Sequence, residues 1–152
     1  MKRVEITLSL PVVKPLLEVV KELVGSLKRS LAVTPVLPDI DTEFRDAWTG
    51  ELLTAQRQDM NTLLALFGED FFTEGVVAFD PNNAEGILRA CAAVRLRLRE
   101  RYLEALGDEA LEAGEIDVKN LPDAQRKAFL CYIFLATIQE LIIQHLDTSI
   151  VG

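Results

Sequence analysis

The chain has 152 residues, 49% of them apolar, with 24 Asp and Glu against 16 Lys and Arg for a formal charge of −8. A chain this long and this apolar can bury a core without a disulfide or metal and is no disordered segment, while its acidic balance disfavours nucleic acid, whose phosphates call for a basic face. One histidine and two cysteines forty positions apart exclude a multi-histidine metal centre and a disulfide framework.

Residues 3–9 alternate Val4, Ile6 and Leu8 against Arg3, Glu5, Thr7 and Ser9, which predicts a short strand. Pro11 and Pro15 set up a helix start, and from Leu16 the apolar positions 16, 17, 20, 23, 24, 27 and 31 share one helical face. That helix is expected to reach about Leu31, before Pro35 and Pro38 impose a loop. A second helix is expected from Asp41-Thr42, either of which can cap it, to Gly68, with Gly50 inside as a weak point. Val76-Val77-Ala78-Phe79 reads either as a short strand pairing with residues 3–9 or as buried coil.

Asp80-Pro81 marks the start of a third long helix, a carboxylate cap followed by a proline whose missing N–H costs nothing there. Its stripe of Ala84, Ile87, Leu88, Cys91, Val94, Leu98 and Tyr102 ends at Gly107. The acidic residues 107–119 follow, with one helical turn expected around Ala110-Leu111. Asn120-Leu121-Pro122-Asp123 opens the last helix, which continues to about Leu146. No repeat, low-complexity tract or linker interrupts the chain, so residues 1–152 read as one domain.

The densest apolar run, Phe129 to Ile138, is ten residues long, and Gln139 and Glu140 follow it, so it reads as a buried core helix and not as a membrane span. After Met1-Lys2-Arg3 the chain alternates instead of forming an apolar leader core, and a cytoplasmic location with free thiols is expected. Cys91 and Cys131 sit among apolar neighbours as small hydrophobes, and His145 lies near the end of the last helix with no carboxylate at helical spacing. Phosphate-cradling glycine loops, a nucleophile elbow and a zinc-protease pair are all missing from the sequence, so no catalytic residue, metal or cofactor is assigned.

Charge alternates in blocks: residues 39–86 carry eleven acids and two bases, whereas residues 87–106 carry five arginines and two acids. On helical wheels Asp59 falls between Trp48 and Leu52, Arg45 and Gln56 lie near Leu63, Arg95 falls between Leu88 and Tyr102, and Gln139 lies among Leu135, Tyr132 and Ile143. These are polar residues on faces that otherwise read as core, and lone buried charges are expensive, so they are expected to pair. Asp59 accepting from Arg95 or Arg45, with Gln139 filling the remaining donors, would form a semi-buried network. Arg45, Asp59, Arg95 and Gln139 are therefore the candidate ligand-binding residues.

Three segments together carry a resemblance: Glu43-Phe44-Arg45 with Leu52, Leu88-Arg89-Ala90 with Arg95-Leu96, and Tyr132 with Leu135 and Gln139-Glu140-Leu141. In order and spacing they resemble a small, mainly actinobacterial family catalogued as domain of unknown function number twenty-seventeen. The N-terminal strand leading into an apolar helix is similar too. Ala92-Ala93 stands where the family pattern has an Asn-Asp pair, and Ile133 where it has an acid after the tyrosine, so part of any polar site there is altered in this chain. The resemblance implies a mostly helical bacterial protein and assigns no activity. The family's genes often lie beside that of the Clp-protease adaptor, which implies regulation or proteolysis.

The expected fold is mainly α, four helices with a short N-terminal strand that can join a minor two-stranded element. The last helix should be central, and because it is apolar nearly all round, a homodimer covering part of it is expected. The favoured function is a non-enzymatic interaction or regulatory module binding a protein partner or a second copy. The alternative is a small-molecule or catalytic domain built on the Arg/Asp/Gln cluster. An open pocket lined by those side chains would favour the alternative, and a paired network beside an exposed apolar patch the module.

Overall fold

The period-two alternation at the N-terminus becomes a strand in the computed structural model, which describes residues 2–33, 41–107 and 117–151 and, beyond residue 145, the backbone alone. Strand β1 (Val4–Thr7) pairs antiparallel with β2 (Val76–Phe79), Val4 opposite Phe79 and Thr7 opposite Val76. Val77 and Phe79 turn into the core, while Val4 and Ile6 are half-buried and Glu5 and Thr7 face out. Residues 76–79 are thus a strand, as their β-branched and aromatic content favours.

Helix α1 (Leu10–Leu27) starts six residues earlier than its apolar stripe predicts and takes both prolines with it. Pro11 sits in the first turn, where its missing N–H is no loss. Pro15 removes one intrahelical bond, but the earlier start places Val13 in the core beside Leu16, Leu17 and Val20. Helix α2 (Thr42–Leu66) is capped by Asp41, whose carboxylate accepts from the Glu43 N–H at 3.3 Å, and it runs through Gly50 unbroken. A short helix α3 (Glu69–Glu74), not expected from the sequence, follows and closes on Gly75 at φ +74°. Six residues are too few to display a helical period.

Helix α4 (Ala84–Leu98) begins after a reciprocal cap: the Asp80 carboxylate accepts from the N–H groups of Asn82 and Asn83, and the Asn83 side chain accepts from the Asp80 N–H. Pro81 lies in the preceding turn and not in the helix itself. The helix widens into a π turn (Arg99–Leu103), tightens into a 3₁₀ turn (Glu104–Leu106), and stops at Gly107 with φ +80°. The last helix, α5 (Asp123–Val151), is anchored by Arg126, which donates to the carbonyls of Val118, Lys119 and Leu121. The turn expected around Ala110-Leu111 and the loop expected around Pro35 and Pro38 lie outside the described residues.

One apolar cluster joins every helix and β2: Leu23 and Leu27 from α1, Met60 and Leu63 from α2, Phe71 and Phe79, Ile87 and Val94 from α4, and Leu135 and Ile142 from α5 are all fully buried. Helix α5 packs on α1 and α4. By length and composition Asp123–His145 could also cross a membrane, a test that a core helix passes as well. Four long helices and a two-stranded ribbon make the fold mainly α.

Candidate interaction surface

The polar residues on apolar wheel faces resolve into separate contacts instead of one network. Asp59, on α2, takes a bidentate pair from Arg89 on α4, with both N···O distances at 3.0 Å. The hydrogen bond to Asp59 is the main reason the Arg89 guanidinium titrates above its ordinary range. Gly86 lets α4 approach this point, since a Cβ there would stand 3.4 Å from both the Asp59 carboxylate and Thr62.

Arg95 turns to the other side of α4, where its guanidinium lies over the Tyr132 ring at 4.4 Å and donates to Gln139 at 2.6 Å. Gln139 in turn donates to the Leu88 carbonyl at 3.0 Å. Arg95 and Gln139 are therefore together, Asp59 is on the opposite flank of α4, and Arg45 is exposed on the first turn of α2, away from both. The Arg95 Nε is buried and has no hydrogen-bond partner among the described residues.

Gln56 and three arginines secure the C-terminal end of α1. Gln56 donates to the carbonyls of Leu27 and Ser30 and accepts from the Ala32 N–H. Arg57 donates to the Lys28 carbonyl at 2.6 Å. Arg97, which a surface pairing with Glu100 would leave solvated, is 7% exposed. It donates to the hydroxyls of Ser26 and Ser30 and to the Leu31 carbonyl, while Arg101 also donates to Ser26. The i,i+3 spacing to Glu100 does give Arg97 one partner, at 3.6 Å from its Nε, but its burial was not legible because the other partners are main-chain and hydroxyl oxygens that no spacing rule points to.

The thiols are both fully buried, and burial pushes each up to about 12. The native protein at neutral pH should therefore react with a thiol reagent far more slowly than the unfolded chain, and equal rates would show the burial to be wrong. Holding a thiol protonated in the folded state lends stability that is complete below its ordinary value of 9.0 and is lost as pH rises towards 12. Among the described residues no group of three or more His, Cys, Asp or Glu is arranged to hold a metal.

A cleft of about 480 Å³ opens between the strand ribbon and α3, lined by Arg3, Thr62, Asp70, Val76 and Asn83 among others, and by none of the four candidate ligand residues. The larger anomaly is apolar. From Asp41 to Leu52 every residue of α2 and its cap except Thr49 is exposed, so the first three turns form an arm. Phe44, Trp48 and Leu52 are 52%, 43% and 38% exposed at four-residue spacing along one line of it, and the two rings meet tilted, centroids 5.8 Å apart and planes at 59°. A second exposed set lies on α4 and α5: Leu96, Leu130, Ile133 and Ile143. Contiguous exposed apolar side chains of this size mark contact sites on protein surfaces.

The family profile of a domain of unknown function (DUF2017) matches residues 27–146. The match takes in α2, α4 and most of α5, and the chain belongs to that family. No curated protein and no solved structure matches the chain.

Proposed function

We propose that this member of the family is a cytoplasmic, non-enzymatic interaction module with a regulatory role, and that the α2 arm is its contact element. The observation that carries the reading is the line Phe44, Trp48, Leu52, large apolar side chains left in solvent on a helix whose own body does not cover them. Support comes from the polar residues as well. Asp59, Arg95 and Gln139 already bond to partners inside the chain, and the cleft near α3 is lined by other side chains. Aromatic side chains beside an aliphatic one are the usual anchors of protein contacts. The charge of −8 favours a protein partner over nucleic acid.

Trp48 is the only tryptophan in the chain, so its emission reports the arm directly. When the arm is covered, by concentrating the protein or by adding fractionated cell extract, Trp48 emission should move to shorter wavelength. Emission that stays at its solvent-exposed position under both conditions rejects the module reading.

A further inference from the structure

We infer that Ser30 is a phosphorylation site whose phosphate is received by Arg97 and Arg101, an inference that does not depend on the α2 arm. An arginine as buried as Arg97 ordinarily hydrogen-bonds a carboxylate, because a buried charge without compensation is costly. Arg97 instead directs Nη1 to two serine hydroxyls, Ser26 and Ser30, and Nη2 to the Leu31 carbonyl. Arg101 brings a second guanidinium to Ser26 at 2.8 Å. The carboxylate that approaches is the exposed one of Glu100, 3.6 Å from the Arg97 Nε. That Nε has no hydrogen-bond partner among the described residues. Lys28 and Arg29 precede Ser30 directly, and Arg57 holds the Lys28 carbonyl, so five cations stand around two neutral hydroxyls.

The two hydroxyls differ in access. Ser26 is 5% exposed and closed to an enzyme, whereas Ser30 is exposed in the bend that follows α1, with its Oγ 3.3 Å from the Arg97 Nη1. A protein kinase using a nucleoside triphosphate would form the Oγ–P bond and break the β–γ phosphoanhydride. The nucleoside diphosphate leaves, and the hydroxyl proton passes to the kinase's base. The product puts three strong acceptor oxygens and a charge of about −1.5 to −2 where a hydroxyl stood, and arginines meet such oxygens in short, charge-assisted bonds.

Free carbonyls at the end of a helix would ordinarily repel a phosphate. Here they are occupied: Gln56 donates to the carbonyls of Leu27 and Ser30, Arg57 to that of Lys28, and Arg97 to that of Leu31. The bond given up, from the Ser30 hydroxyl to the Ser26 carbonyl, is long at 3.4 Å, and that carbonyl still accepts from the N–H groups of Arg29 and Ser30. Phosphorylation therefore ties the end of α1 to α4 by charge, at the point where the chain leaves α1.

The test uses the full chain with phosphoserine inserted at position 30 during translation. Cations beside the phosphate favour its dianion, so the second ionisation, followed by phosphorus-31 resonance, should have its midpoint about one pH unit lower in the folded protein than in urea. The unfolded chain keeps Lys28 and Arg29 next to the phosphate and loses Arg97 and Arg101, so the difference reports the receiving arginines. The thermal midpoint at neutral pH should rise by about 3 °C. Arg97→Met is destabilising in itself, so Arg101→Gln, at an exposed position, carries the comparison: it should stay folded and lose roughly half of the ionisation difference. Equal ionisation in the folded and unfolded chains, or a thermal midpoint that falls on phosphorylation, overturns the inference. So does an unmodified chain that inorganic phosphate stabilises equally at matched ionic strength, which would make the cluster a site for free anions. Protein recovered from its own cells should carry the phosphate on Ser30. The tryptic peptide 30–45 also contains Thr34 and Thr42, and phosphate on either of those, or on none of the three, overturns it as well.

Discussion

Arg97→Met is expected to lower the unfolding free energy by about 3 kcal/mol, seen in a thermal melt as a fall of roughly 6–12 °C for a domain of this size. Methionine fills much the same volume but donates nothing. The Leu31 carbonyl and the Ser30 hydroxyl lose a charged donor at the end of α1, where backbone carbonyls have no helical partner. Arg101 still reaches Ser26, so that hydroxyl stays satisfied. The surface arginine on the same helix gives the control. Arg89 makes a bidentate pair with Asp59, whose carboxylate is 15% exposed, but its own side chain is 61% exposed so water can replace it, and Arg89→Met should cost less, about 1–2 kcal/mol. The order of the two losses is the measurement that matters. If Arg89→Met proves the more damaging, the burial assigned to Arg97 is wrong.

The contrast between these arginines also shows what the sequence made legible. Arg89 and Arg95 are six positions apart on α4, about 120° around the helix, so they cannot serve the same neighbour. The wheel placed Arg95 correctly at the edge of the apolar arc, and Gln139 likewise, and the two do meet. It could not say which arginine turns towards α2, because that depends on how α4 is rotated between its neighbours. The packing of Gly86 against Asp59 and Thr62 sets that rotation, and it gives Asp59 to Arg89.

Helix α2 illustrates a different gap. A wheel reports angle and says nothing of which stretch of a helix is covered. Trp48 and Leu52 share a stripe with Asp59, so they read as core, and Arg45 read as inward with Leu63. In the structure the buried part of α2 begins near Met60, and everything before Thr49 stands in solvent. An apolar side chain placed for a partner and one placed for the core look alike in a one-dimensional pattern. Element boundaries fared better where the chemistry is local: Asp41 caps α2, Gly107 ends the third long helix, and the alternating Val4-to-Thr7 segment finds Val76–Phe79.

Gly75→Ala is expected to cost about 3 kcal/mol, more than the 1–2 kcal/mol typical of forcing an alanine into a left-handed conformation. The excess has a specific cause. At φ +74° a Cβ on residue 75 would stand 2.6 Å from the Leu8 carbonyl oxygen, a main-chain atom that cannot swing aside. That oxygen belongs to the connection between β1 and α1, and the Leu8 N–H in turn donates to the Gly75 carbonyl at 2.7 Å. Relieving the clash therefore means separating the two strands where they join, which withdraws Val77 and Phe79 from the core they share with α3. Gly107→Ala separates conformation from contact. Its φ is +80°, but among the described residues nothing lies within 4 Å of the added methyl, so its cost should stay near the conformational 1–2 kcal/mol. Denaturant titration of both variants reads the difference, and equal losses would show that the Leu8 oxygen yields. Because the ribbon is remote from the α2 arm in sequence and made of different elements, Gly75→Ala that remains folded should also retain the Trp48 response. Loss of stability with the response kept would mark the ribbon as a brace for the body and the arm as a separate contact element.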